Sequence, residues 1–185
     1  MKKFKNKYRI ETTRLRNWDY GWNAAYFVTI CTRDRICFFG HVTNGKMILN
    51  DLGKIAETCW LEIPQHFPFV ELGNHVVMPN HVHGIIIINK PDDGRDGGRT
   101  IVTPRNRFGP QSQNLASIIR GYKTGVTKQA RLLDKNFAWQ SRFHDHIIRD
   151  NGSFERIARY IQNNPAQWQE NSPYDKNFKN QGANT

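Results

Sequence analysis

The chain has 185 residues, enough for one domain with a substantial core. Its 27 lysine and arginine residues outnumber 16 acidic residues, and the formal net charge of +11 favours a polyanionic partner, most commonly nucleic acid. No apolar stretch is long enough to span a bilayer, which argues against a membrane protein.

Residues 1–17 are basic but lack the apolar stretch of a secretory signal. The three cysteines, Cys31, Cys37 and Cys59, are odd in number and form no CxxC motif, which is typical of a reduced protein. We therefore expect a reduced, cytoplasmic protein.

Strands dominate the first half of the chain, where aromatic and β-branched residues are frequent and Asn44-Gly45 is a strong hairpin signal. The predicted strand units cover residues 25–32, 37–50 (the hairpin), 69–78 and 81–89. Apolar residues at helical spacing predict a helix from an N-cap at Asn50 or Asp51 to about Gln65.

Residues 90–113 are rich in glycine, proline and charge, so we expect a mobile loop there. The chain then continues with a basic amphipathic helix, an extended aromatic segment and a last helix, at residues 114–133, 137–150 and 151–165. Asn151 or Ser153 is the expected N-cap of the last helix.

This order of elements favours an α+β domain of the ferredoxin-like or RRM-like type, with a central antiparallel sheet and helices packed on one face. We place the domain at residues 24–168, after a basic N-terminal segment at 1–23 and before a polar tail at 169–185, which is expected to fray.

Two histidines interrupt an apolar run in VVMPNHVHGIIII, residues 76–88. Residues i and i+2 of a strand point the same way, so His81 and His83 should share one face. Such a pair suits a divalent metal ion, although it can also simply satisfy hydrogen bonds at a sheet edge. Burial among so many isoleucines costs free energy unless the rings gain partners.

Three motifs in order, VVMPNHVHGIIII, WQSRFHDHIIRD and RYIQNNP, resemble the REP-associated tyrosine transposases, relatives of the insertion-sequence transposases with a single-tyrosine HUH nuclease domain. The resemblance runs from about Tyr20 to Trp168. It implies a ferredoxin-like enzyme that cuts and joins single-stranded DNA site-specifically. It also implies a 5′-phosphotyrosine intermediate, a divalent metal and hairpins of repetitive extragenic palindromes as substrate.

The resemblance implies that Tyr160 is the nucleophile and that His81, His83 and Asn164 bind Mg²⁺ or Mn²⁺. Tyr160 and Asn164 lie four residues apart, on one face of a helix. Judged only by its apolar neighbours, Tyr160 would be an ordinary core aromatic. Pro165 disfavours helical geometry at Asn164, which predicts a frayed last turn.

Two features compete with this assignment. His144-Asp145-His146 repeats the i, i+2 spacing and is a rival metal site. The resemblance makes His146 an auxiliary catalytic candidate, in proton transfer, and leaves His144 as a surface residue. Tyr122 is a rival nucleophile, but no asparagine or glutamine follows it four residues later.

Basic residues in the N-terminal segment and on the basic helix are predicted to neutralise DNA phosphates, unless they form only a solvated charged face. These residues are Arg14, Arg16, Arg120, Lys123, Lys128 and Arg131.

Two other functions remain open. One is a non-catalytic nucleic-acid-binding module on the same scaffold, and the other is a metal-dependent hydrolase in which Tyr160 only packs. The protein could act as a monomer or a homodimer.

Overall fold

A computed structural model describes residues 3–4, 7–8, 18–91 and 112–168. The strands are β1 Lys3–Phe4, β2 Lys7–Tyr8, β3 Ala24–Cys31, β4 Gly40–Thr43, β5 Lys46–Leu49, β6 Val70–Met78, β7 His81–Ile88 and β8 His144–Ile148. The helices are α1 Asp51–Leu61, α2 Ile63–His66, α3 Leu115–Leu133 and α4 Asn151–Asn163. Short 3₁₀ turns lie at Arg33–Arg35 and Pro165–Gln167.

The central sheet contains four strands in the order β6–β7–β3–β8, and every neighbouring pair is antiparallel. Helix α1 lies in the chain between β3 and β6, and α3 lies between β7 and β8. This strand order and connectivity are those of a ferredoxin-like fold, which confirms the predicted fold class. The pairs β1–β2 and β4–β5 form separate two-stranded sheets.

The hairpin and the first helix begin where local sequence signals predict. Asn44 and Gly45 have φ angles of 51° and 70°, as a two-residue hairpin turn of the primed type requires. Asn50 is the N-cap of α1, and its side chain accepts a hydrogen bond from the Gly53 backbone N–H. The helix ends at Leu61, before the predicted end, and the chain continues as α2.

Both faces of the sheet are covered. Helices α1 and α3 pack on one face and bury the larger core cluster, which includes Tyr26, Trp60 and Val82. Helix α4 covers the other face, where Ile161 packs with Ile85. The prediction that all helices pack on one face holds for α1 and α3 only. Strand β7 is buried on both of its faces, so the second face also needs a covering helix.

The N-cap of α4 is Asp150, not the predicted Asn151 or Ser153. Its carboxylate accepts hydrogen bonds from the Ser153 backbone N–H and from the Ser153 hydroxyl, each at 2.8 Å. These bonds lower the pKa of Asp150. The cap therefore lies one residue earlier than predicted, where the extended backbone lets a carboxylate reach the first turn.

Several predicted segments lie outside the described residues. These are most of the loop at 90–113, the tail at 169–185, and both Arg14 and Arg16. Within the described part of the chain, no helix is long and apolar enough to cross a membrane.

Candidate active site

Strand β7 presents His81 and His83 on the face that α4 covers, as the strand period predicts. In the β3–β7 register, His81 lies opposite Cys31 and His83 opposite Thr29. The two ring centroids are 4.4 Å apart, and the side chains are 7% and 5% exposed. The pair is therefore buried in the centre of the sheet, not solvated at its edge.

Asn80 fixes the orientation of the His81 ring. Its Nδ2 donates to the Arg35 carbonyl oxygen at 3.1 Å, and its Oδ1 lies 2.8 Å from His81 Nδ1. Since a carbonyl can only accept, the Asn80 amide is oriented with Oδ1 toward the ring, and Nδ1 of His81 donates. Nε2 of His81 consequently keeps its lone pair for another partner. Asn80 lies in the turn before β7, and no sequence signal marks it as a support for this ring.

Two residues of β3 hold the second ring. Thr29 Oγ1 lies 2.9 Å from His83 Nδ1, and the Phe27 ring stacks on the His83 ring with centroids 5.3 Å apart. In the sequence, both are ordinary β-forming residues of the strand predicted at residues 25–32. Their alternation along β3 places them on one face, but only the strand register shows that this face carries the histidines.

Both rings are neutral at physiological pH. Burial lowers the pKa of His81 to about 3, and the proximity of His83 and of the Arg35 cation further disfavours its protonated form. Burial likewise lowers the pKa of His83 to about 4, again with a contribution from Arg35. Neutral imidazoles have the lone pairs that a metal ligand needs.

Helix α4 brings a phenol to this pair. Tyr160 Oη lies 3.4 Å from His83 Nε2, and the Tyr160 ring stands edge-on to Phe27 with centroids 6.1 Å apart. Tyr160 is 43% exposed, so part of this residue is open to solvent.

One turn later on α4, Asn164 is buried and its side chain forms a hydrogen bond with His81. Its φ and ψ angles of −57° and −42° are helical, so the predicted fraying before Pro165 is wrong. The reason is that Pro165 begins a new 3₁₀ turn, where a backbone N–H is not needed. The amide is thus held firmly beside the ring.

The donor set fits a divalent cation. Two neutral imidazoles are each held at Nδ1 by a polar neighbour, which is the usual arrangement around metal-ligating histidines. Within the described residues, no group of three His, Cys, Asp or Glu side chains could hold a metal ion. A cation at this site would therefore need the amide oxygen of Asn164 as a third protein ligand.

The second histidine pair lies on β8 at the rim of the same face. In the β3–β8 register, His144 lies opposite Thr29 and His146 opposite Phe27. Both side chains are exposed, and the charge of His144 contributes to lowering the pKa of His83. His144, expected to be a surface residue, is thus electrostatically close to the site, as a neighbour of the predicted auxiliary His146.

The rival nucleophile Tyr122 is buried on the opposite face. Its hydroxyl donates to the Ala56 carbonyl oxygen of α1 at 3.2 Å, and burial raises its pKa well above the usual value. DNA cannot reach this oxygen without unfolding the α1–α3 layer.

The basic residues of α3 lie on the helix that covers the face opposite the histidines. Arg120, Lys128 and Arg131 are exposed. Lys123 instead donates from Nζ to the carbonyl oxygens of Gln140 and Arg142, at 2.7 and 3.0 Å, and burial lowers its pKa to about 8. The Lys123 ammonium thus stabilises the segment before β8. Contact of the four basic residues of α3 with DNA stays a prediction.

Comparisons with known proteins agree with the three motifs. No protein-family model matches the chain. An uncharacterised protein of Haemophilus influenzae is 42% identical over 166 residues, covering 87% of this chain and 91% of the relative. A second Haemophilus influenzae protein, named as a candidate REP-associated tyrosine transposase, is 26% identical over 158 residues, covering 80% of this chain and 73% of the relative.

A solved structure of a REP-associated tyrosine transposase bound to a REP hairpin has the same fold, with a TM-score of 0.55 and 21% identity. The match covers 86% of this chain and 74% of that one. The motifs, their order, the named relative and the shared fold agree, and the chain resembles the REP-associated tyrosine transposases in sequence and in fold.

Proposed function

We propose that this protein is a site-specific single-stranded DNA endonuclease and strand transferase that acts on hairpin DNA. The observation that carries this proposal is the hydroxyl of the half-exposed Tyr160, 3.4 Å from Nε2 of a buried, neutral histidine, with Asn164 one turn away. The hairpin bound to the structural neighbour supports hairpins of the REP type as the substrate class.

In the proposed reaction, Tyr160 Oη attacks the phosphorus of the scissile phosphodiester, and the bond from phosphorus to O3′ breaks. The products are a 5′-phosphotyrosine on Tyr160 and a 3′-hydroxyl, whose oxygen takes up a proton. His146, with His144 beside it, is the candidate acceptor of the phenolic proton. Because the phosphotyrosine retains the phosphodiester energy, a 3′-hydroxyl can attack it and rejoin strands without ATP.

His81, His83 and Asn164 are the residues that would hold a divalent cation, Mg²⁺ or Mn²⁺. When bound, such a cation withdraws electron density from the phosphate and stabilises the charge of the transition state. The chain contributes ring orientation, since Asn80 and Thr29 occupy the Nδ1 atoms and leave Nε2 for ligation. Two nitrogen ligands favour Mn²⁺ over Mg²⁺ in vitro.

One chain supplies the phenol, the imidazoles and the amide, which supports cleavage by a monomer. The net charge of +11 supports a polyanionic partner. An enzyme that acts on chromosomal hairpins works in the bacterial cytoplasm, at the nucleoid.

The test combines the purified protein with Mn²⁺ and an end-labelled single strand that contains an extragenic palindrome from beside the gene. We expect a covalent protein–DNA adduct on a denaturing gel, and mass spectrometry should locate the nucleotide on Tyr160. Cleavage without an adduct would indicate the hydrolase instead. A gel shift without cleavage, both with and without Mn²⁺, would indicate the binding module.

Replacing Asn80 with alanine is expected to weaken Mn²⁺ binding by about 10- to 100-fold, because the His81 ring loses the acceptor that fixes its orientation. Isothermal titration calorimetry of the DNA-free protein measures this. Asn89→Ala is the matched control, since Asn89 follows the other end of β7 and its amide donates only to the exposed Glu71. Equal affinities for the two variants would contradict the role of Asn80.

A further inference from the structure

The turn that follows β3 has an unusual backbone. Asp34 and Arg35 are consecutive residues with φ angles of 54° and 57°. Residues other than glycine rarely adopt this left-handed region, and they stay there only when surrounding contacts hold them. The turn is therefore held in place by its neighbours and is not relaxed on its own.

The neighbour that holds the turn is Asn80, the residue directly before His81. The Thr32 backbone N–H donates to the Asn80 carbonyl oxygen at 2.9 Å. The Thr32 hydroxyl lies between this oxygen and the Ile36 carbonyl oxygen, at 2.9 and 2.8 Å, and can donate to either. The Asn80 amide donates back to the Arg35 carbonyl oxygen at 3.1 Å. The position of Arg35 is thus tied to the same side chain that orients His81.

The Arg35 guanidinium has no counter-charge among the residues that the structure describes. Its side chain is exposed and forms no hydrogen bond or ion pair with any other described residue. Its backbone carbonyl oxygen lies 3.1 Å from Nδ2 of Asn80, whose Oδ1 lies 2.8 Å from His81 Nδ1, so the Arg35 side chain begins at the edge of the site.

A permanent cation beside a candidate metal site is unfavourable when the site holds only a second cation, because like charges repel strongly at a partly buried position. An anion that lies between the guanidinium and the metal cation attracts both, so the arrangement becomes favourable. In a nuclease that anion is a phosphate of the substrate, and a guanidinium matches the geometry of two phosphate oxygens.

We propose that Arg35 binds the non-bridging oxygens of the scissile phosphate and is a catalytic residue of this site. The inference rests on the proposed function and adds to it a contact made by the turn after β3. As the phenolic oxygen attacks, charge builds on these oxygens, and the guanidinium stabilises it without any rearrangement of the chain.

The first test compares the rate of adduct formation at saturating hairpin DNA. Arg35→Ala is expected to slow it by about 100-fold, as for the loss of one donor to a developing oxyanion, and Arg35→Lys should recover part of the rate. Arg33→Ala is the control, because it removes the same charge from the same turn, while its guanidinium faces the Asn136 carbonyl oxygen at 3.4 Å. Thermal unfolding checks that all three variants fold.

The second test measures affinity in a Tyr160→Phe background, so that the DNA stays intact. One hairpin has a normal scissile phosphate, and the other has an uncharged methylphosphonate at that position. Arg35→Ala should weaken binding of the first hairpin and leave binding of the second unchanged. A purely structural role of Arg35 would weaken both equally.

The outcomes separate this inference from the proposed function. If the unmodified protein forms the adduct and Arg35→Ala forms it equally fast, or loses affinity equally for both hairpins, the phosphate contact is wrong and the nuclease assignment stands. If the unmodified protein forms no adduct with the hairpin, the proposed function fails and this inference fails with it.

Discussion

Tyr160→Phe is expected to lower the rate of adduct formation by about 10³-fold or more, as for removal of the nucleophile in other covalent catalysts. Hairpin binding should change by less than about threefold, because a phenyl ring keeps the edge-on contact with Phe27 and only a long hydrogen bond to His83 is lost. A denaturing gel measures the adduct, and fluorescence anisotropy measures binding.

Tyr122→Phe provides the matched control, since it removes a hydroxyl from a tyrosine on the other face of the sheet. The adduct should form at the normal rate. The free energy of unfolding should fall by about 1 kcal/mol, because the Ala56 carbonyl oxygen loses its donor in the core. If Tyr160→Phe retained the adduct, or Tyr122→Phe abolished it in a folded protein, Tyr160 would not be the nucleophile.

Gly84→Ala is expected to destabilise the protein by about 3 kcal/mol through overpacking. A Cβ atom at this position would lie only 2.2 Å from Cζ2 of Trp60 and 2.7 Å from its Cη2. Neither partner can move easily, because Gly84 lies in an inner strand and Trp60 is a fully buried residue of α1. Urea denaturation followed by circular dichroism measures the change.

Gly125→Ala is the control for that experiment and has the opposite expected sign. A Cβ at Gly125 meets only the Cys59 sulfur at 3.7 Å, which is an ordinary contact. Within helix α3, alanine should therefore stabilise the folded protein by about 0.5–1 kcal/mol.

A double variant tests whether the Trp60 ring is the cause. Trp60→Phe combined with Gly84→Ala should reduce the free energy of unfolding by less than the sum of the two single changes. If the losses in the free energy of unfolding were additive, the Trp60 ring would not be the reason why a glycine is needed at position 84.

Local signals were sufficient for most of the fold. The Asn44-Gly45 turn, the Asn50 cap and the apolar runs of β6 and β7 each specify an element without reference to distant residues. The placement of α4 could not be predicted this way, because the uninterrupted apolar run of β7 does not show which helix covers which face. Asp150 was missed as a cap because good capping residues follow it closely.

The candidate site was predictable where spacing alone decides geometry. The i, i+2 pair on a strand and the i, i+4 pair on a helix both place their side chains together. The residues that hold the site were not predictable, since Thr29 and His83 are 54 residues apart and meet only through the register of β3 with β7. The same applies to Arg35, whose turn reaches the site through Asn80.

The two faces of the sheet differ in what they contribute to the protein. Most of the buried hydrophobic residues lie beneath α1 and α3, whereas the reactive groups lie under the single helix α4. Under the proposed function, a single substitution of Tyr160 would therefore remove strand scission and leave the larger core intact. Such a protein would be a folded binder of palindromic DNA that no longer cuts it.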